Sequence, residues 1–194
     1  MPGRAIGVLA LQGAFREHVA MLAALGAATR EVRQQKDLAD MAALVIPGGE
    51  STTIGKLLVE LGLLEPIKAR ISAGMPVFGT CAGLILLARD IADSQQPRIG
   101  LLNATVRRNA FGRQVDSFEA DLAVAGLEPK PFPAVFIRAP IIEQVGPEVE
   151  IMAQVVEKGE SRPVAVRQGN ILAASFHPEL TDDTRMHEYF LKLI

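Results

Sequence analysis

At 194 residues, 49% hydrophobic and 22% charged, the chain suits one domain over residues 1–194, large enough to bury about 70% of the surface its unfolded form would expose, which excludes a disordered or fibrous protein. The net charge of −2 offers no broad basic field to a nucleic-acid backbone, since Arg107, Arg108 and Arg113 form a local cluster at most. A single cysteine allows no internal disulfide, and with only His18, His177 and His187 beside it a structural zinc site is not expected. A reducing cytoplasm fits this usage. The apolar run in MPGRAIGVLAL is too short for a signal peptide, and no segment reaches the length that spans a bilayer. The expectation is a soluble, untargeted protein with neither membrane nor nucleic acid as partner.

In chain order, AIGVLAL (5–11) reads as a strand and REHVAMLAAL (16–25) as a helix, with Val19, Leu22 and Leu25 on one stripe and Gly26 ending it. TREVR (29–33) predicts a strand, DLADM (37–41) a short helical piece, and ALVI (43–46) a buried strand stopping at Pro47-Gly48-Gly49. The stretches 52–64 and 65–74 predict helices; PVFGTC (76–81) predicts an apolar strand and AGLILLARD (82–90) the helix after it. Strands alternating with helices imply a three-layer α/β fold, a mostly parallel central sheet flanked by helices, whose ligands bind at the carboxyl ends of the strands. After about residue 95 the texture changes to short strand-like runs at 105–111, 116–124, 134–140, 149–156, 163–169 and 171–176, read as antiparallel hairpins added to the sheet. A last helix is expected over 182–194, capped by Thr181 or Asp182.

Three stretches carry candidate chemistry. Gly79-Thr80-Cys81-Ala82-Gly83 has the form Gly-x-nucleophile-x-Gly between a predicted strand and a predicted helix, the context of a nucleophile elbow. The flanking residues must be small for so tight a turn, and the helix end aimed at the sulfur favours thiolate. An inert core cysteine would not need glycine on both sides. In SFHPEL (175–180), His177 and Glu179 are two apart, so on an extended segment both point the same way and the carboxylate can orient the imidazole. The alternative is a plain surface turn. His18 and His187 fall on predicted helices and read as solvated positions. The third stretch, Pro47-Gly48-Gly49-Glu50-Ser51-Thr52, presents backbone amides without obstruction by Cβ. A phosphate loop fails on spacing, because Gly49 to Gly55 encloses five residues and Lys56 precedes Leu57. What remains is an oxyanion hole built from this loop and the amide of Ala82, each donor worth about 3 kcal/mol, or an ordinary strand-to-helix turn capped by Ser51 or Thr52.

Taken in this order, PGGES, GTCAG and FHPE resemble the class I glutamine amidotransferase family with its Cys-His-Glu triad. LALQGAFREH, VRRNAFGRQ and FIRAP narrow the likeness to the glutaminase subunits of pyridoxal 5′-phosphate synthase, over Ile6 to Ile194. The resemblance implies hydrolysis of L-glutamine to glutamate, with ammonia passed to a separate synthase subunit in a hetero-oligomer. Cys81 would form a glutamyl thioester, His177 would move the protons and Glu179 would hold His177. Gly49, Glu50 and Ser51 match the loop lining the glutamine site, Gly49 and Ala82 the oxyanion hole, and Arg108, Ile137 and Arg138 the remaining substrate contacts. Gln12 matches a position near the synthase interface. No cofactor is implied, and the Gly48-Gly49 loop is expected to become competent when the synthase docks. The other readings are the same hydrolysis feeding another acceptor, such as the imidazole glycerol phosphate pathway, a redox-sensing or chaperone-like relative, and a catalytically silent partner subunit.

Overall fold

The computed structural model describes residues 5–92, 94–108, 117–157 and 159–194. The leader MPGR, residues 109–114 of VRRNAFGRQ with Arg113, the end of the expected strand at 105–111 and Asp116 lie outside them.

The first half alternates as its pattern predicts. β1 (Ala5–Leu9) leads to α1 (Phe15–Ala24), β2 (Thr29–Val32), β3 (Met41–Ile46), α2 (Ser51–Glu60), α3 (Leu64–Ser72), β4 (Val77–Thr80) and α4 (Ala82–Leu87). Gly26 ends α1 with a φ of 77°, a left-handed conformation that glycine adopts without strain. The helical piece expected at 37–41 is instead a 3-10 turn at Gln35–Leu38, and Met41 already opens β3. The Asp37 carboxylate closes that turn by accepting the amides of Arg33 and Gln34, each at 3.0 Å.

AGLILLARD also departs from its helical reading. α4 stops at Leu87 because the carbonyl of Leu86 accepts the amides of Ile99, at 2.8 Å, and Gly100, at 3.2 Å, rather than that of a following helical turn. The chain continues as β5 (Ala88–Ile91), which pairs in parallel with β6 (Leu102–Arg107). Then follow β7 (Ser117–Leu122), β8 (Phe132–Ile137), β9 (Ile141–Val145), β10 (Glu150–Glu157), β11 (Glu160–Gln168) and β12 (Ile171–Ala174). A 3-10 turn at Pro178–Leu180 and α5 (Arg185–Leu191) complete the fold. α5 is shorter than expected and takes Thr184 as its N-cap, not Thr181 or Asp182. Arg185 accounts for this: its guanidinium pairs with Asp183 and donates to the carbonyls of Leu127, Lys130 and Pro131, which hold the approach out of the helix.

The main sheet has the order β10-β11-β12-β4-β3-β1-β2. From β12 to β2 all pairs are parallel, and the β10–β11 hairpin extends β12 in antiparallel fashion. Of the expected added strands, those at 149–156, 163–169 and 171–176 join the main sheet as β10, β11 and β12, the last parallel to β4 and not antiparallel; β5, β6 and β9 form a three-stranded sheet, and β7 and β8 a two-stranded one. Both faces of the main sheet are covered, which is why β3 and β4 read as continuous apolar runs. On β3, Leu44 and Ile46 join a core with Ile54, Leu58, Ile67 and Leu84 from α2, α3 and α4. Ala43 and Val45 join another with Leu22 of α1, Phe190 of α5 and Phe132 and Phe136 of β8. Each fully buried side chain of this size contributes about 1.5–3 kcal/mol, so the parallel strands cannot slide without losing one core or the other.

Candidate active site

Four adjacent strands, β12, β4, β3 and β1, release their chains at the same edge, and each delivers one piece of the site. Cys81 follows β4 with φ 48° and ψ −102°, a backbone state that few non-glycine residues adopt and that a strand-to-helix elbow requires. The glycines on either side are sterically obligatory. A Cβ on Gly83 would stand 2.0 Å from the Ile46 carbonyl oxygen, and one on Gly79 would stand 2.7 Å from the Gly83 carbonyl carbon. The Cys81 amide donates to Ala174 at 2.8 Å, tying the elbow to the strand that delivers His177.

His177 is 8% exposed and its amide donates to the Val135 carbonyl at 2.8 Å. Its Nδ1 lies 2.7 Å from Oε1 of Glu179, which is 5% exposed. The pair forms across the 3-10 turn Pro178–Leu180 and not along an extended segment, which corrects the geometry expected from their spacing. Burial works against a charged His177, but bonds to Cys81 and Glu179 outweigh it and raise the imidazole to about 10. Burial likewise opposes ionisation of Glu179, yet its two histidine neighbours hold it below the usual carboxylate range.

The glycine loop closes the site from the third side. A Cβ on Gly48 would fall 2.3 Å from His177 Cε1 and 3.3 Å from Cys81 Cβ, so only glycine lets the loop approach both. Gly48 passes its carbonyl to the amide of Ala14 at 3.0 Å, and Gln12 accepts the amide of Glu50 at 2.6 Å. Glu50, not Ser51 or Thr52, caps α2: its carboxylate accepts the amides of Thr52 and Thr53. Partial burial opposes its charge, but those amides and the two threonine hydroxyls hold Glu50 at about 2.

A pocket of about 480 Å³ opens among these elements, lined by Gln12, Gly49, Glu50, Ser51, Cys81, Arg108, Ile137, Arg138 and His177 along with further residues of the same loops. Thus most of the residues singled out in sequence converge. Glu179 stands behind His177, and Ala82 begins α4 beside Cys81. Arg138 has a φ of 44° at the turn out of β8, and the carbonyl of Ile137 lies 3.9 Å from the Cys81 sulfur. Arg108 Nη1 is 4.0 Å from Glu50 and 3.1 Å from Oε1 of Gln96, which also accepts the Ser51 hydroxyl at 3.3 Å.

The solvated readings of His18 and His187 are overturned, since both are fully buried. His18 precedes Leu22 by one helical turn and His187 lies between buried Met186 and Phe190, so the stripe on each helix held the signal. Gln96 carried no motif and was missed.

This parallel sheet, cysteine elbow and facing His–Glu pair define a class I glutamine amidotransferase. Residues 8–194 match the model of the SNO glutamine amidotransferase family, and the chain belongs to that family. It is 61% identical over 189 residues to the pyridoxal 5′-phosphate synthase subunit PdxT of Moorella thermoacetica, covering 97% of this chain and 98% of that one. A crystal structure of a glutamine amidotransferase superposes with a TM-score of 0.91 at 53% identity, covering 97% of this chain and 98% of that chain. A putative GMP synthase subunit from Thermoplasma acidophilum, at 19% identity and a TM-score of 0.69 over 100% of this chain and 94% of its own, shares the fold. Among the described residues, no helix is long and apolar enough to cross a membrane.

Proposed function

We propose that this chain hydrolyses L-glutamine through Cys81, His177 and Glu179 and hands the ammonia to a pyridoxal 5′-phosphate synthase subunit. The observation that carries the reading is the position of His177, 2.7 Å from Glu179 on one side and on the other so near Cys81 that a Cβ on Gly48 would stand 2.3 Å from His177 Cε1 and 3.3 Å from Cys81 Cβ. Raised to about 10, His177 already holds the proton at neutral pH, and the Cys81 sulfur beside it attacks the carboxamide carbon. The tetrahedral oxyanion is met by the amides of Gly49 and Ala82. As the carbon–nitrogen bond breaks, His177 gives the proton to the nitrogen, which leaves as ammonia, and a glutamyl thioester remains. Having given that proton up, His177 takes one from water, which attacks the same carbon; the carbon–sulfur bond breaks, glutamate departs and His177 is left protonated as at the start.

Substrate binding follows from charge. A free α-amino acid is a zwitterion, and Arg108 and Glu50 present opposite charges 4.0 Å apart at the pocket wall. Arg108 suits the carboxylate, whose two oxygens a guanidinium can hold together, and Glu50 suits the ammonium group. Ser51, Ile137 and Arg138 line the remainder. The synthase partner is inferred from relatives at 61% identity, which are pyridoxal 5′-phosphate synthase subunits. Docking of that partner at Gln12 would act through the Gln12–Glu50 bond on the Gly48-Gly49 loop.

The test is ammonia release from L-glutamine with and without the synthase subunit. Release that rises with the synthase and vanishes in Cys81→Ala supports the reading; a thiol that oxidises selectively while glutamine is untouched would overturn it.

A further inference from the structure

The chain contains three histidines, and the proposed mechanism uses one. The other two, His18 on α1 and His187 on α5, are both 0% exposed. His18 Nδ1 lies 2.9 Å from His187 Nε2. The opposite nitrogen of His18, Nε2, lies 3.0 Å from Thr80 Oγ1 and 3.4 Å from Glu179 Oε2. That carboxylate oxygen is buried and accepts no hydrogen bond, so His18 Nε2 bonds to Thr80 and meets Glu179 only as a close polar contact, while Oε1 of the same group engages His177. Glu179 therefore stands between two imidazoles, one facing the pocket and one facing the core.

The proton positions follow from elementary rules. Burial, against the pull of Glu179, holds His18 below the ordinary imidazole value, so at neutral pH the ring carries one proton. An ionised carboxylate can only accept a hydrogen bond, and the lone pair of a bare Nε2 aimed at it would be repelled. The proton thus sits on Nε2, Nδ1 is left as an acceptor, and His187 donates to it from its own Nε2. The cluster is not a metal site, because among the described residues no group of three or more His, Cys, Asp or Glu side chains could hold an ion.

We propose that His18 is a positioning residue for glutamine hydrolysis: held by Thr80, its Nε2–H sets a positive edge against the Glu179 carboxylate from the core side, and His187 fixes the tautomer of His18. With Oε2 drawn toward His18, Oε1 keeps its place against His177, and the imidazole stays aimed at Cys81. His18 touches no substrate. The inference rests on reading Cys81, His177 and Glu179 as the triad.

Two measurements test it. In a two-bond 1H–15N spectrum of the folded chain, His18 and His187 are expected as Nε2–H tautomers; an Nδ1–H tautomer at His18 would overturn the proposal even if no variant folds. In glutaminase assays with the synthase subunit present, His18→Phe is expected to lower kcat about 10- to 100-fold while KM stays within about twofold. His18→Gln, whose amide nitrogen reaches the place of Nε2, should recover most of kcat. A His18→Phe enzyme as fast as wild type, or a folded His18→Gln enzyme as slow as His18→Phe, would overturn the proposal. Glu179→Gln separates the two levels: no loss of kcat there sinks the triad itself, whereas a loss there without one in His18→Phe sinks only the role of His18.

Discussion

Glu50 donates its backbone N–H to Oε1 of Gln12 at 2.6 Å, which ties the loop after β1 to the glycine loop after β3. The side chain that the family resemblance puts near the synthase interface thus braces the pocket wall from within. Gln12→Leu removes the acceptor and should lower glutaminase activity about 10-fold. Assaying ammonia release beside synthase binding separates the two roles: activity lost with binding retained is the expected result.

Gly48→Ala should be far more damaging. Its Cβ would fall 2.3 Å from His177 Cε1, so either the imidazole or the loop must move. Misplacing a catalytic group by about 1 Å can cost about 100-fold, and the loss should appear in kcat with the fold intact by circular dichroism.

Gln96 links two pocket-lining side chains, accepting from Arg108 at 3.1 Å and from Ser51 at 3.3 Å. Gln96→Leu leaves the guanidinium free to swing. The expected outcome is a KM for glutamine raised about 10-fold with kcat little changed, read from steady-state kinetics.

Stability should peak near neutral pH. Burial, reinforced by repulsion from His18, lowers His187 to about 3. Below about pH 6.5 the unfolded chain gains a proton that folded His187 refuses until about pH 3, which costs about 1.4 kcal/mol per pH unit. His177 acts in the opposite sense: raised to about 10, it contributes stability that is full below the ordinary imidazole value and is lost as pH rises through about 10. Urea midpoints should therefore fall between pH 7 and pH 5, before most carboxylates titrate. A flat profile over that interval would contradict the burial of His18 and His187.

How far the sequence reveals this site depends on the range of each interaction. The elbow is legible because Gly79 and Gly83 answer to local sterics, and the strand ends because apolar runs stop abruptly at Pro47 and Cys81. Where distant segments decide, the reading fails. β5 reads as helix because the Leu86 carbonyl is taken by amides at 99 and 100. β9 is short and depends on pairing with β6. His18 looks like one polar residue on a helix until α5 brings His187 to it across 169 residues. Glu179 reaches His177 through a 3-10 turn that Pro178 opens, so the pairing is foreseeable from spacing and its geometry is not.

The central claim, that the Cys81 sulfur becomes bonded to the glutamyl carbon, is tested most directly by acid-quenching the chain during turnover with glutamine and the synthase subunit, followed by mass spectrometry of its peptides. A glutamyl adduct confined to the peptide bearing Cys81, with neither adduct nor ammonia from Cys81→Ala, is the predicted result. Ammonia released at an undiminished rate by Cys81→Ala would contradict it.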